Sequence, residues 1–318
     1  MIKYLLYKNS QKAFLIMLFG CFISCSNPYS KSNRLYKKQA RTYAKSLKSL
    51  PAHESADTSL VYGDYVVGTT NFNLRKPDYV VIHHTAQDSV GQTLRTFTLP
   101  RTQVSAHYVV GNDGKIYHML NDYYRAWHGG VGQWGNNTDL NSSSIGIELD
   151  NDGYEEFSEA QINSLLALLQ NLKERYKIPA MNFMGHSDIA PSRKVDPNAN
   201  FPWKKLAEDG YGLWYDQEAV DSLKLPLSPP TPAEKRLMFL YLPDAFMQQI
   251  PLLDRLVFKD RIPADFNFIE ALKIIGYDTS DVSSAIQAFE LHFVQKNING
   301  VLDHDDLKIL YNLYRKYL

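Results

Sequence analysis

The sequence predicts an α/β fold, with a mixed central β-sheet flanked by helices and a small all-α domain at its C-terminal side. Short apolar runs rich in β-branched residues recur between residues 79 and 149, and a long amphipathic helical pattern follows at residues 158–176. Strands mixed with helices in this way indicate a sheet domain of the α/β or α+β type. Beyond a proline-rich stretch at residues 223–235, only short helical patterns remain.

The composition is that of an ordinary globular protein. The chain has 318 residues, of which 44% are hydrophobic and 21% charged, and this length favours two domains over one. Lysine plus arginine equals aspartate plus glutamate, at 34 each, so the charge gives no indication of nucleic-acid binding. No motif indicates a nucleotide or a flavin, and none bears on the oligomeric state.

Residues 1–24 are predicted to be a lipoprotein signal peptide. Lys3, Lys8 and Lys12 precede the apolar run AFLIMLFGCFI, which has eleven residues, whereas a membrane-spanning helix needs about 20. The following FISCSN resembles the lipobox of bacterial lipoproteins, which implies that Cys25 carries the lipid. Cleavage before Cys21, an uncleaved anchor and a plain secretory signal are the alternatives. All of them imply export.

Residues 25–60 are predicted to be a tether. Seven lysines or arginines and no acidic residue lie between Lys31 and Lys48. We expect a solvated linker, with contact to anionic lipid head groups as the alternative. Because Cys21 and Cys25 are the only two cysteines, the exported body is expected to have neither a disulfide nor a thiolate metal ligand.

The strands and the main helix are predicted within residues 61–222. YVVIHHT is typical of a buried strand, and AHYVVGNDGKIYHML of a hairpin that turns at Asn-Asp-Gly. In SSIGIELD, Gly146 and Glu148 are expected on the face opposite the apolar residues. Ser158 and Gln161 predict a capping box for the helix, and Pro179 follows its end. Its apolar stripe comprises Ile162, Leu165, Leu166, Leu169 and Leu172.

Polar side chains that bear chemistry fall at the ends of these strands. His83 and His84 end the first strand, Glu148 lies on the third, and His186 follows NFMG. Two imidazoles and one carboxylate are the ligand set of a catalytic zinc site, which keeps one position open for water. An unligated carboxylate and a lysine, such as Glu148 and Lys194, suit the roles of base and oxyanion stabiliser. Spacing alone leaves structural roles open for the histidines and the glutamate.

Five blocks carry a resemblance to a known family. VIHHTA, VSAHYVV with DGKIYHML, RAWHGG, SIGIELDN and GHSDIAPSRKVDP occur in order over roughly residues 78–203. Together they resemble the zinc-dependent N-acetylmuramoyl-L-alanine amidases of the amidase-2 family, which share a fold with peptidoglycan recognition proteins. The likeness is greatest to the outer-membrane lipoprotein branch. It implies peptidoglycan or muropeptides as substrate and a lipid-anchored protein of the outer membrane that faces the periplasm.

The resemblance also implies the site. One zinc ion per chain would be held by His83, His186 and Asp196, with Glu148 as the catalytic base and Lys194 as the oxyanion stabiliser. The resemblance selects His83 as the ligand, whereas the residues alone do not separate it from His84.

Neighbouring residues are predicted with alternatives. Trp127 and His128 match a block that borders the substrate groove in the family, which implies that they contact substrate. The alternatives are a core tryptophan and a histidine that supports a ligand. Arg193 is a candidate partner for a peptide carboxylate, or an exposed loop residue without a specific role. His107 is expected to be structural or to support the site.

Residues 223–235 are predicted to be a proline-rich connection and residues 236–318 a helical domain. Three short helices are predicted, in DFNFIEALKIIGYD, DVSSAIQAFELHF and DHDDLKILYNLYRKYL. This part resembles the three-helix peptidoglycan-binding domain, and the alternative is a helical domain that packs on the amidase and shapes its groove. Residues 295–306 fall near EF-hand positions, but too few carboxylates are present for a calcium site.

Two other functions compete with the amidase. The first is a peptidoglycan-binding protein without catalysis, which typically lacks a zinc ligand, whereas all three are present here. The second is a general zinc peptidase, against which the absence of an HExxH helix argues. Endolysin and cytoplasmic recycling roles are disfavoured by the lipoprotein signal.

Overall fold

The computed structural model describes residues 27–48, 76–225 and 261–318. They belong to two compact units, one within residues 1–73 and the other from residue 74 to the C-terminus. The predicted signal peptide, Cys25 and most of the proline-rich connection lie outside the described residues. The predicted domain boundaries therefore stay predictions.

Part of the first unit is a helix where the sequence suggested a linker. Helix α1 (Ser30–Lys48) has 19 residues, none of them buried. Lysine, arginine, leucine, alanine and glutamine favour a helix, and this stretch has neither glycine nor proline. At 3.6 residues per turn its basic side chains fall on one side, whereas Leu35 and Leu47 fall on the other. Among the described residues, no helix has the length and apolarity needed to cross a membrane.

The second unit is built on a mixed five-stranded sheet, as predicted. Its strands are β1 (Tyr79–His84), β2 (Tyr108–Val110), β3 (Ile116–His118), β4 (Ser144–Leu149) and β5 (Phe183–Gly185), in the spatial order β3-β2-β4-β1-β5. Strands β2, β4, β1 and β5 are parallel, and β3 pairs antiparallel with β2 in the predicted hairpin. The carboxyl ends of the parallel strands therefore meet at one edge of the sheet.

Helices connect and cover the strands. Those between residues 76 and 225 are α2 (Val90–Thr98), α3 (Leu140–Ser143), α4 (Glu159–Tyr176), α5 (His186–Ile189), α6 (Trp203–Glu208) and α7 (Gln217–Ser222). The predicted helices of the C-terminal part are confirmed as α8 (Phe268–Ile275), α9 (Val282–Phe289) and α10 (His304–Tyr317), and a π-helical turn (Glu290–Val294) extends α9.

Helix α4 covers one face of the sheet. Its buried residues Ile162, Leu165, Leu169 and Leu172 share a core with Val80, Ile82, Ile145, Ile147 and Leu149. The predicted capping box is wrong in one half. The Ser158 hydroxyl does accept a hydrogen bond from the Gln161 backbone N–H, at 3.1 Å. The Gln161 amide instead donates to the backbone carbonyls of Val110 and Asp150, because these carbonyls lie next to it in the buried core.

The helices of residues 261–318 pack against the other face. Val81 and Met184 belong to the same apolar cluster as Leu272, Phe289 and Leu310 of helices α8, α9 and α10. Alternation along β1 places Val81 and His83 on one face of the strand. The C-terminal helices and the candidate site therefore lie on the same side of the sheet.

Candidate active site

Three side-chain atoms converge at the carboxyl edge of the sheet. His83 Nδ1 lies 2.9 Å from His186 Nδ1, and each of them lies 3.1 Å from Asp196 Oδ2. All three residues are buried. They form the one group of at least three potential metal ligands found among residues 27–48, 76–225 and 261–318.

Two of these residues come from one folded segment. His186 begins α5 directly after β5, and the Ser187 backbone N–H donates to the Asp196 carbonyl at 2.9 Å. The Lys194 backbone N–H closes the intervening turn on the Ala190 carbonyl at 3.0 Å, and the Asp196–Pro197 peptide bond is cis. The ten-residue spacing thus folds back on itself, which brings both side chains to His83 at the end of β1.

A chain of hydrogen bonds fixes the tautomer of His83. The Ser144 hydroxyl donates to the Leu140 carbonyl, so its oxygen accepts from His128 Nε2 at 3.1 Å. His128 Nδ1 is then the acceptor for His83 Nε2, at 3.0 Å. The proton of His83 is therefore on Nε2, and the lone pair of Nδ1 points to the convergent group.

The tautomer of His186 follows from one contact. Its Nε2 lies 3.0 Å from the Gly129 carbonyl oxygen, which can only accept, so Nδ1 carries the lone pair. The Asn141 amide oxygen holds this loop by accepting from the backbone N–H groups of His128 and Gly129. Arg193 also donates to the carbonyls of Gly129 and Val131.

The convergent group fits a zinc ion. Two imidazole lone pairs and a carboxylate oxygen face one another with no hydrogen-bond donor between them, which suits a cation. Tetrahedral zinc with nitrogen and oxygen ligands places those atoms about 3.3–3.5 Å apart, and the observed separations of 2.9 and 3.1 Å are close to this. In zinc sites, a histidine ligand usually donates its other ring N–H to a neighbouring acceptor, as His83 does to His128 and His186 does to the Gly129 carbonyl.

The electrostatics of His83 and Asp196 favour the forms in which these side chains bind a metal. Burial and the nearby charge of His186 lower the pKa of His83 to about 4. Burial, followed by the proximity of His83, lowers the pKa of His128 well below its usual range. Burial raises the pKa of Asp196, but the two adjacent imidazoles lower that pKa more. At neutral pH His83 is therefore neutral and Asp196 is ionised.

Glu148 and Lys194 lie beside this group without belonging to it. Glu148 is 8% exposed, and its carboxylate hydrogen-bonds to no described residue. Burial, and then the charge of Asp196, raise the pKa of Glu148 well above its usual range, whereas the charge of Lys194 lowers it. A buried, unpaired carboxylate of raised pKa next to a potential metal is suited to proton transfer.

The remaining predicted residues take different positions. His84 points elsewhere, since its Nδ1 accepts from the Asn198 backbone N–H at 3.1 Å. His107 bridges the Gly146 N–H and the Tyr124 carbonyl, which is a structural arrangement. Trp127 is 50% exposed, and its role as a substrate contact stays a prediction. His128 is buried behind His83, a geometry that favours support of the ligand over substrate contact.

The sequence did not predict which residues hold His128 and the Gly129 loop in place beside the potential ligands. Ser144 and Asn141 hold His128 and the Gly129 loop, and Arg193 holds that loop instead of pointing freely from it. No signal in the sequence marks the first two, because an asparagine in a short helix and a serine at the start of a strand are both common. Arg193 stood in a recognised block, but its partner Gly129 is 64 residues away.

The chain is similar to known amidases over most of its length. The family model described as N-acetylmuramoyl-L-alanine amidase, Amidase_2, matches residues 73–199. The N-acetylmuramoyl-L-alanine amidase AmiD of Escherichia coli K12 is 31% identical over 260 residues, covering 75% of this chain and 82% of AmiD. The 1,6-anhydro-N-acetylmuramyl-L-alanine amidase AmpD of the same strain is 40% identical over 104 residues, covering 33% of this chain and 57% of AmpD.

Two solved structures have the same fold. One is E. coli AmiD in complex with anhydro-N-acetylmuramic acid-L-Ala-D-γ-Glu-L-Lys, with a TM-score of 0.60, 29% identity, and coverage of 79% of this chain and 93% of that one. The other is AmpDh3 from Pseudomonas aeruginosa in complex with anhydromuramic pentapeptide. Its TM-score is 0.58 at 28% identity, with coverage of 82% of this chain and 99% of that one.

Proposed function

Because the chain belongs to the N-acetylmuramoyl-L-alanine amidase family, we propose that it hydrolyses its substrate with one zinc ion held by His83, His186 and Asp196. The bond cleaved is the amide between N-acetylmuramic acid and L-alanine in peptidoglycan or muropeptides, for turnover and recycling of the cell wall. The observation that carries the zinc proposal is the convergence of two imidazole lone pairs and one carboxylate beside the unpaired carboxylate of Glu148.

The residues of this chain divide the chemistry between them. Zinc, when bound, supplies a Lewis acid that lowers the pKa of water to about 7. Glu148 takes the proton of the attacking water and returns it to the nitrogen of L-alanine as the amide C–N bond breaks. Lys194 stabilises the negative charge that develops on the carbonyl oxygen. His128 and Gly129 keep the two histidine rings oriented throughout.

Substrate contacts are proposed for the exposed rim of the site. Trp127 offers half of its ring surface to solvent, and an aromatic face suits a sugar or a peptide stem. Arg193 contributes through the Gly129–Val131 loop that it holds. Both AmiD and AmpDh3 have been solved with anhydromuramyl peptides, which makes such peptides the first substrates to test.

The test uses the full-length chain, purified in detergent and loaded with zinc. Incubation with anhydromuramyl peptides and with purified peptidoglycan should release free stem peptides that begin at L-alanine, as detected by mass spectrometry. A chelator and Glu148→Ala should each abolish the release. If the fragments bind but stay intact, the non-catalytic peptidoglycan-binding protein is the correct alternative.

We also propose that the protein is anchored in the outer membrane through a lipid on Cys25, facing the periplasm. The lipobox-like FISCSN supports this, as does α1, whose basic side suits anionic lipids while Leu35 and Leu47 are 47% and 72% exposed on the other side. Cys25→Ala should abolish labelling with a radioactive fatty acid and release the protein from the membrane fraction. Cys21→Ala is the matched control and should change neither.

Binding of intact wall by residues 236–318 remains a further proposal. It is supported by the resemblance of the three helices to peptidoglycan-binding domains. Sedimentation of the full-length Glu148→Ala variant with insoluble peptidoglycan, compared with its affinity for soluble muropeptides, measures this contribution apart from catalysis.

A further inference from the structure

A fully buried carboxylate joins the metal-binding segment to the C-terminal helices. Asp188 is 0% exposed and lies in α5, two residues after His186. Its Oδ1 accepts from the Tyr277 hydroxyl at 2.8 Å, and its Oδ2 lies 2.7 Å from His292 Nδ1. Tyr277 and His292 are themselves 2% and 5% exposed. An ionised or polar group buried this deeply is stable only with such partners.

The same carboxylate fixes the start of the metal-binding segment. Asp188 Oδ2 accepts from the Gly185 backbone N–H at 2.7 Å, so it holds the residue directly before His186. The Ser187 N–H in turn binds the Asp196 carbonyl. The backbone is thus fastened on both sides of His186, at the Gly185 N–H by the Asp188 carboxylate and at the Ser187 N–H by the Asp196 carbonyl.

Aromatic packing also connects the C-terminal helices to the metal-binding segment, through His292 and Trp203. The rings of His292 and Trp203 stack with centroids 3.8 Å apart and planes inclined by 15°. A Cβ atom at Gly185 would lie 3.1 Å from Trp203 and 2.9 Å from Pro197, the residue after Asp196. Trp203 therefore fills the space between the two segments that provide His186 and Asp196, and His292 closes its outer side.

We propose that Tyr277 and His292 are positioning residues, through which the C-terminal helices set the geometry and the affinity of the metal site. Asp188 transmits the effect, because it connects the two side chains to the backbone of Gly185. The C-terminal helices would then support the metal site, whether or not they also bind the cell wall. The proposal rests on the proposed metal centre, and the experiment below separates the two.

The first comparison uses two Tyr→Phe variants, each of which removes a hydrogen bond from a tyrosine hydroxyl to a buried aspartate. Tyr277→Phe removes the hydroxyl that binds Asp188, whereas Tyr176→Phe removes a hydroxyl that donates to buried Asp122 at 2.6 Å, apart from the metal site. Each substitution deletes one buried hydrogen bond to an aspartate, so the two should destabilise the fold similarly. Only Tyr277→Phe should weaken zinc binding.

The second comparison separates the hydrogen bond of His292 from its stacking. His292→Phe keeps a ring on Trp203 but has no donor for Asp188. His292→Asn has no ring but places an amide nitrogen near the former position of Nδ1. If the hydrogen bond positions the site, zinc affinity should fall in His292→Phe and be retained in His292→Asn. Gln295→Ala is a further control, since Gln295 binds the carbonyls of Ala199 and Phe201 in the same interface.

The measurement is the zinc dissociation constant of each full-length variant, obtained by competition with a chelating dye. We expect losses of about 3- to 10-fold for Tyr277→Phe and for His292→Phe, smaller than the roughly 10- to 100-fold typical of groups that hydrogen-bond a ligand directly, because both residues act through Asp188. The visible absorption bands of the cobalt-substituted protein should shift in these variants, and kcat should fall with KM unchanged.

Each result decides between the two claims. A wild-type chain that does not bind zinc contradicts the proposed metal centre itself. A wild-type chain that binds zinc, with Tyr277→Phe and His292→Phe binding it equally well and with unshifted cobalt spectra, overturns the positioning role. Equal losses in Tyr277→Phe and Tyr176→Phe would also overturn it, since the effect would then be one of general stability.

Discussion

Glu148 lies beside His83 on the neighbouring parallel strand, and the two residues are in register between β4 and β1. Side chains of such partners point to the same face of the sheet. The strand pairing therefore holds the proposed base at a fixed distance from a proposed zinc ligand without any hydrogen bond between them. The carboxylate of Glu148 is available to a water molecule because it makes no hydrogen bond to any described residue.

Glu148→Gln should lower turnover by orders of magnitude and leave zinc binding intact. The amide keeps the shape of the side chain but cannot accept the proton, and general-base catalysis of this kind contributes about 10²–10⁴ in rate. We expect kcat to fall by about 10²–10⁴, measured by mass spectrometry of released stem peptides, with one zinc per chain by elemental analysis. A variant with zinc bound and near-normal kcat would show that Glu148 is not the base.

Asp196→Ala should lose the metal itself. It removes the carboxylate of the convergent group, and with it the negative charge between two imidazoles. Zinc content after dialysis should fall to background, and activity with it. Asp122→Ala is a control of the same chemistry, because Asp122 is also buried but binds two tyrosine hydroxyls. If Asp196→Ala retained zinc, a different set of ligands would have to be sought.

Lys194→Met should alter both the rate and its dependence on pH. The charge of Lys194 lowers the pKa of Glu148, so its removal raises that pKa further. Because the base acts only when deprotonated, activity is lost as the pH falls through this pKa. The acidic limb of the kcat/KM profile should therefore move to higher pH. Loss of oxyanion stabilisation should also lower kcat, by about 10².

An unchanged acidic limb in Lys194→Met would place this lysine too far from Glu148 to act on it. Lys204→Met is the matched control, since Lys204 lies on the exposed surface of α6, where its partner is Glu208. It should change neither kcat nor the pH profile.

Much of the site could be predicted because its proposed ligands sit in short blocks that carry the resemblance to the amidase-2 family. His83 follows an apolar β-branched run, and His186 and Asp196 lie ten residues apart in one stiff loop. The sheet and its hairpin followed from the same runs and from the Asn-Asp-Gly turn. The strands and the hairpin could be predicted because they depend on residues that are close together in the sequence.

The supporting contacts could not be predicted because their partners are distant in sequence. Asp188 binds Tyr277 and His292 across 89 and 104 residues. Trp127 and His128 are adjacent in one block, yet the first is half-exposed and the second is buried behind His83. Gln161 met the pattern of a capping box, but burial gave its amide better partners. In each case tertiary packing decided what local pattern left open.

Gly146→Ala should weaken zinc binding without touching a ligand. Gly146 lies two residues before Glu148 on the same face of β4, and the ring of His128 rests directly on it, so an added Cβ would overlap that ring. Displacing His128 breaks its hydrogen bond to His83 Nε2, and the ring of His83 is then no longer held in the orientation that binds zinc. We expect zinc affinity to fall about 10- to 100-fold, as for loss of other groups that orient a ligand, and the free energy of unfolding to fall by about 1–3 kcal/mol from overpacking.

The control for Gly146→Ala is Gly91→Ala in helix α2, where an added Cβ meets nothing within 4 Å. That substitution should leave zinc affinity unchanged and raise stability slightly, because alanine favours a helix. The double variant Gly146→Ala/His128→Ala decides the cause. If displacement of His128 is responsible, the double variant should bind zinc no more weakly than His128→Ala alone. Additive losses would mean that Gly146 acts through β4 itself and not through the histidine.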